Sequence, residues 1–293
     1  MRRKRYVGVL LTTVLAALGL TLTVPGVAAA DTLGGTVTAD MNNDGIPDQV
    51  QLGDVGGPGS KTCSVTVSYG LPGGGFGPPQ VHTYASVESG PFCPDEGVAM
   101  KLGKEKKPDL VTAVSFGFTD LIVLHNFQPT AIFHGVIQPT WLRTADLNGD
   151  GRQDLIEWSS QVTDLVTRIN TPQGTLVPGP FSVRTLRSGG AAGADGPQYV
   201  LADFNGDGGQ DMLMSVNSQS FATPIAAEVF FGNGQAPVVL ASTTDFLATW
   251  TVFRIDLNQD GVPDAGVIET SRTGVTTVQY FRNDGTGHFT AFP

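Results

Sequence analysis

The chain of 293 residues is 40% hydrophobic and only 15% charged, with 38 Gly and 19 Pro. That balance excludes a polar disordered chain, and glycines without a three-residue period exclude collagen. Lys and Arg total 17 against 27 Asp and Glu, and setting aside Arg2, Arg3, Lys4 and Arg5 leaves 13 cations against 27 acids, a net charge of −14. Such a surface repels nucleic-acid backbones and anionic membranes unless a basic patch intervenes, so neither is an expected partner. The one basic patch is a short lysine run at 101–107.

In chain order, residues 2–5 form a positive n-region, 6–22 an apolar run without charge, and Val27-Ala28-Ala29-Ala30 the small residues a signal peptidase needs. The expectation is a signal peptide over 1–30, cleaved after Ala30, and a secreted mature chain over 31–293. A membrane anchor is the competing reading of the apolar run, but no stop-transfer segment follows, so no membrane span is expected after cleavage. Cys63 and Cys93 both fall in the exported part. An oxidising compartment favours their pairing, closing a loop of about 30 residues for roughly 3–4 kcal/mol; two buried free thiols are the alternative.

One nonapeptide then recurs four times, at Asp40–Asp48, Asp146–Asp154, Asp203–Asp211 and Asp256–Asp264, with the pattern D-x-N-x-D-G-x-x-D. The last three copies start 57 and 53 residues apart, whereas the first lies 106 before the second. Two periods in that gap predict a missing copy. Lys101-Leu-Gly-Lys-Glu-Lys-Lys-Pro-Asp109 fills it, keeping the closing Asp109 and a following apolar run but placing Lys101 and Gly103 at the first two ligand positions. Five repeats result, at about 33–90, 91–138, 139–195, 196–246 and 247–293.

Each repeat divides into four short runs rich in Val, Ile, Thr and aromatics, bounded by Gly, Pro, Asn and Asp. In the fourth these are 198–202, 211–216, 227–232 and 237–242; in the fifth, 251–256, 264–270, 276–282 and 288–292. No helical period is sustained. The expected fold is all-β, a β-propeller of five four-stranded blades, with a solenoid or sandwich as the competing architecture. The last repeat holds all four of its own strands, so ring closure would depend on face packing of the first and fifth blades.

Side-chain oxygens at alternating positions, a sixth-place Gly for the tight turn, a seventh-place carbonyl and a ninth-place carboxylate suit a hard cation. The expected ligands are Asp40, Asn42, Asp44, Ile46 and Asp48; Asp146, Asn148, Asp150, Arg152 and Asp154; Asp203, Asn205, Asp207, Gly209 and Asp211; and Asp256, Asn258, Asp260, Val262 and Asp264. Ile46, Arg152, Gly209 and Val262 would act through their carbonyls. Calcium suits such oxygen-rich loops better than magnesium or zinc, so about four structural Ca²⁺ per chain are expected. A helical EF-hand reading fails because Glu157 has only Gln51, Met214 and Val267 as counterparts, and the flanks read as strands. Plain Asp/Asn/Gly turns without an ion are the other alternative, against which stand 12 of the 27 acids packed into four loops. In the degenerate copy, Lys101 or Lys104 beside Glu105 and Asp109 would replace the ion with an ammonium, or the hairpin is merely solvated.

With these loops, the five-fold repeat, and endings such as Phe231-Gly-Asn-Gly234 and Asn283-Asp-Gly-Thr-Gly-His-Phe289, residues 33–293 resemble the FG-GAP/VCBS repeat family, the calcium-loop propellers also found in integrin alpha subunits. The resemblance implies a propeller whose calcium loops join the first two strands of each blade and which acts in extracellular binding or adhesion. Five repeats instead of the integrin seven, and the lost ligands of the second, are departures from that pattern.

Chemistry is sparse: there is no G-x-S-x-G, H-E-x-x-H or Walker loop, and His82, His125, His134 and His288 are scattered. No catalytic residue is assigned. The leading expectation is an extracellular binding module for a glycan or protein, with Trp141, Trp158 and Trp250 as stacking candidates or, more simply, packing residues. A propeller-type polysaccharide lyase or glycoside hydrolase is the alternative and would need cations such as Arg143, Arg254 and Lys101 to converge. A purely structural exported protein is the third reading.

Overall fold

The computed structural model describes residues 35–56, 61–87, 92–115, 120–136, 138–159, 164–183, 198–217, 225–245 and 248–293; the expected signal peptide lies outside these. The described chain is all-β. The first sheet holds β1 (Thr36–Ala39), β2 (Asp48–Asp54), β3 (Thr62–Ser68) and β4 (Gln80–Ala85). The second holds β5 (Glu96–Met100), β6 (Asp109–Ala113), β7 (Asp120–His125) and β8 (Gln128–His134). β9 (Trp141–Ala145), β10 (Asp154–Ser159), β11 (Asp164–Asn170) and β12 (Leu176–Val183) form the third. The fourth comprises β13 (Tyr199–Ala202), β14 (Asp211–Asn217), β15 (Ile225–Phe230) and β16 (Val238–Thr243), and the fifth β17 (Thr249–Ile255), β18 (Asp264–Thr270), β19 (Thr276–Asn283) and β20 (Phe289–Phe292). Every sheet is an antiparallel meander in chain order.

The five-fold division of the sequence is therefore also the division into sheets, one per repeat, the degenerate copy included. Strand limits agree to within two residues. In the fourth repeat the third strand stops at Phe230, because Gly232 turns its N–H out of the ladder to Asp211 Oδ1 at 2.8 Å.

The core lies between sheets. Val50, Val65, Leu110 and Ile122 join the first to the second, and Met100, Leu121, Leu142 and Leu155 the second to the third. Trp158, Leu165, Met212 and Met214 join the third to the fourth, and Leu213, Val229, Trp250 and Val267 the fourth to the fifth. Strands covered on both faces, such as β6 and β10, are buried at every residue and show no in-out alternation. The first sheet has one free face, so β2 alternates: Val50 and Leu52 are buried while Gln49 and Gln51 are exposed.

Among the described residues no such cluster joins the fifth sheet to the first. Their outward faces differ in chemistry: the first presents Thr38, Gln49, Gln51 and Thr66, the fifth Phe253, Ile268, Val278, Tyr280 and Phe292. Among the described residues the face packing on which ring closure would depend is not formed. The cysteines pair as expected, Cys63 of β3 with Cys93 on the approach to β5, Cα atoms 5.2 Å apart. No helix of the described chain is long and apolar enough to cross a membrane.

Close approach of neighbouring sheets dictates some glycines. A Cβ on Gly232 would fall 1.9 Å from the Leu147 carbonyl oxygen, whereas on Gly53 the nearest atom would be Ser64 Oγ at 3.5 Å. Gly232→Ala should therefore cost about 2 kcal/mol or more in urea unfolding, with Gly53→Ala near neutral.

Candidate functional site

All four intact loops fold alike, and the first shows how. Asp40 accepts the N–H of Asp44 on Oδ1 (3.0 Å) and of Gly45 on Oδ2 (2.7 Å), Asn42 accepts the Asp44 N–H at 2.9 Å, and Asn42 Nδ2 donates to Asp44 Oδ2 at 2.8 Å. Equivalent bonds recur at Asp146, Asp203 and Asp256. The repulsion expected among three acids in nine residues is thus offset by amide donors. The sixth-place glycines are obligatory, since Gly45, Gly151, Gly208 and Gly261 have φ of 86°, 80°, 88° and 84°.

The ninth acid answers to different donors. Asp48, Asp154, Asp211 and Asp264 are fully buried. One oxygen of each accepts the N–H of the second loop residue (Met41, Leu147, Phe204 and Leu257), and the other the N–H just beyond the third strand's pairing, at Gly70, Asn170, Gly232 and Asn283, all at 2.7–2.9 Å. Burial pushes the Asp154 and Asp211 carboxyls up to about 6, against the lowering effect of these bonds. Asp260, fully exposed, is held below the usual range by the Val262 N–H and Asn258.

For a calcium ion, the residues offer an all-oxygen donor set from one local turn: two carboxylates, an Asn carbonyl and the seventh-place backbone carbonyl. No sulfur or imidazole intrudes, which suits a hard cation. With the ninth acid drawn to the strands, no three His, Cys, Asp or Glu side chains cluster at one point among the described residues. Asn and backbone oxygens would complete the shell.

In the degenerate hairpin no lysine takes the place of an ion at Asp109, while Lys104, Glu105, Lys106 and Lys107 are exposed, as in a solvated hairpin. Asp109 is met by His125 Nδ1 at 2.8 Å and not by a lysine; burial raises its carboxyl, and the histidine bond offsets this. The reason lies in register: Leu110 pairs Leu124, so His125 at the end of β7 stands opposite Asp109. Lys101 instead crosses to the first loop, Nζ donating to Asn43 Oδ1 at 3.1 Å.

Beside this hairpin a cavity of about 550 Å³ opens between the first three sheets. Its wall is β5, the unpaired edge of the second sheet, flanked by Thr38 and Asn43 from the first sheet and Gln153 from the third. Charged side chains of both signs surround it: Lys101, Lys104 and Arg152 against Asp40 and Glu105. Of the expected ligand residues, Asp40 and Arg152 line this space. Gln153 carried no motif and was not legible as a lining residue.

The remaining candidates resolve into packing. Trp141, Trp158 and Trp250 are all buried between sheets, which excludes them as exposed stacking faces. Arg143 lies over Trp141, 4.4 Å from its ring centroid, and donates to the Tyr199 hydroxyl. Arg254 is exposed on β17. Of the three cations considered for a lyase, only Lys101 lines the cavity. His134 pairs with Asp120 at 2.8 Å on the outer strands.

No family model matches the chain, and no curated protein matches it. Among solved structures it is similar to an Agrocybe aegerita lectin described as recognising non-reducing terminal N-acetylglucosamine, at 19% identity over 89% of this chain and 66% of that one, TM-score 0.48. A functionally unknown protein from Desulfotomaculum acetoxidans DSM 771 is similar at 14% identity over 89% of this chain and 68% of that one, TM-score 0.40. The chain spans about two-thirds of the length of either.

Removing the ninth acid strands buried amides whether or not metal is bound. Asp211→Ala, which leaves the N–H groups of Phe204, Asn205 and Gly232 without an acceptor, should cost about 2–4 kcal/mol in urea with chelator present. Asp207→Ala, at an exposed loop position, should cost under about 1 kcal/mol in the same buffer.

Proposed function

We propose that the chain is an exported β-propeller of the FG-GAP/VCBS type, its loops braced by calcium, and that it binds a saccharide in the cavity between its first three sheets. The cavity carries the reading. The edge strand β5 presents backbone at Gly97, Val98, Ala99 and Met100, and Thr38, Asn43, Gln153 and side chains of both signs supply polar partners, a lining that suits a hydroxyl-rich ligand. The disulfide accords with an oxidising, extracellular setting.

Calcium would be held by the first, third and fifth side chains and the seventh carbonyl of each intact loop, with the ninth acid (Asp48, Asp154, Asp211 or Asp264) joining through the lone pairs its N–H bonds leave free. When bound it would neutralise loop carboxylates and stiffen turns that line the cavity through Asp40, Asn43, Gly151 and Arg152. The ions are structural in this reading, and the saccharide contacts protein atoms.

Two measurements test it. Melting the mature protein in calcium, magnesium and chelator should give about four bound calcium ions by mass and a midpoint rising with the logarithm of free calcium, each site adding about 2.7 kcal/mol at a hundredfold excess over its dissociation constant. An unmoved melt with no bound metal would reduce the loops to hydrogen-bonded turns. Separately, a saccharide array probed in calcium should retain the protein and lose it with Gln153→Ala; an array that retains nothing would sink the saccharide reading and favour a purely structural exported protein.

A further inference from the structure

We propose that the saccharide taken by this cavity is short and acidic, carrying a carboxylate or a sulfate, and that the 101–107 hairpin supplies the cations that recognise it. The inference rests on the saccharide reading above and adds the charge. Its starting point is the substitution pattern. Four repeats carry three acids in the nonapeptide, while the second carries Lys101, Lys104, Lys106 and Lys107 against Glu105 and Asp109. The hairpin keeps the fold of the repeat, with Asp109 buried and β6 in place, so the lysines are not needed to form the sheet.

The cavity places those cations where a ligand would meet them. Lys101 and Lys104 line it together with Arg152 of the neighbouring loop. Lys101 spends one donor on Asn43, leaving two of its three protons for a ligand. Lys104 is exposed and makes no ion pair among the described residues. The two acids of the lining compete weakly: both oxygens of Asp40 already accept N–H groups of their own turn, and Glu105 is exposed to water. A flexible ammonium is a point charge that adapts to a carboxylate or a sulfate alike.

Charge elsewhere limits the ligand's length. The mature chain is net negative, and the intact loops of the first and third repeats flank the cavity. With calcium in the loops the acids outside them still leave the mature chain net negative, so an anionic group held among the lysines meets cations, while a long polyanion would run onto an acidic surface. A volume of about 550 Å³ has room for a short oligosaccharide.

Isothermal titration of the full mature chain in excess calcium decides the matter, using two matched pairs: trigalacturonate against its methyl ester, and sulfated lactose against lactose. At least one acidic member should bind about tenfold or more tightly than its neutral partner and weaken with added salt. Lys104→Gln, a change at an exposed residue, should lower the acid's affinity several-fold and by clearly more than it lowers the neutral member's; Lys101→Gln is the second variant. Polygalacturonate should bind no more tightly per site than the trimer. Equal affinity of acid and neutral members would overturn the charge inference while leaving the saccharide reading intact. No binding by any of the four would remove both, and much tighter binding of the polymer would place recognition on an extended surface, against a short ligand.

Discussion

A buried carboxylate holds each intact repeat together. The ninth loop acid accepts one N–H from the turn that precedes it and one from beyond the third strand, so a single side chain fixes the first hairpin to the strand that follows it. Ordinary turns would do neither. The arrangement is expensive in desolvation, as the raised carboxyls of Asp154 and Asp211 attest, and it persists because removing the acid would leave two buried amides bare. In the second repeat, where Lys101 and Gly103 stand at the first two ligand positions, Asp109 survives and draws a histidine side chain to itself.

From that brace follows the stacking of sheets. The second loop residue, its N–H tied to the ninth acid in the intact repeats, carries an apolar side chain. Met41, Leu102, Leu147 and Phe204 plug the interface with the next sheet in the chain. The last residues of β11 and β19 reach the other way: Asn170 Nδ2 donates to the Lys101 carbonyl at 2.7 Å, and Asn283 Nδ2 to that of Phe204 at 2.7 Å. The third repeat thus engages the sheets before and after it. Leu257, the equivalent residue of the last repeat, has no following sheet, joins no cluster, and stays half-exposed.

The sequence made the repeat legible because the loop chemistry is local: spacing of Asp, Asn and Gly is read directly from the chain, and strands bounded by such turns have little freedom in length. Even the degenerate copy was found by its period. What escaped was set by contacts between repeats. The apolar second loop position looked incidental until the stacking showed what it fills, and His125 gave no hint of Asp109 because only the strand register sets them opposite. The tryptophans could be read as surface or core with equal sequence warrant, and burial between sheets decides for core. Gln153 joins the cavity only through the packing of the third sheet against the second.

The two ends of the stack show why closure was not legible either. Repeats that look interchangeable in their loops differ in their strand faces. The first sheet turns Gln49, Gln51 and Thr66 outward, the fifth Phe253, Tyr280 and Val278. Pressing the face of the first sheet on that of the fifth would bury amide side chains against alkyl groups and rings among which only the Tyr280 hydroxyl can accept, at roughly 1–3 kcal/mol for each unmatched group. Between interior sheets the facing residues are mostly apolar, and buried hydroxyls such as those of Thr112 and Thr167 donate to strand carbonyls. A repeat motif therefore fixes how one sheet is built and how it meets its neighbour, while the outward faces of the terminal repeats are written in strand residues the motif does not include, and it is those residues that govern whether the stack can join end to end.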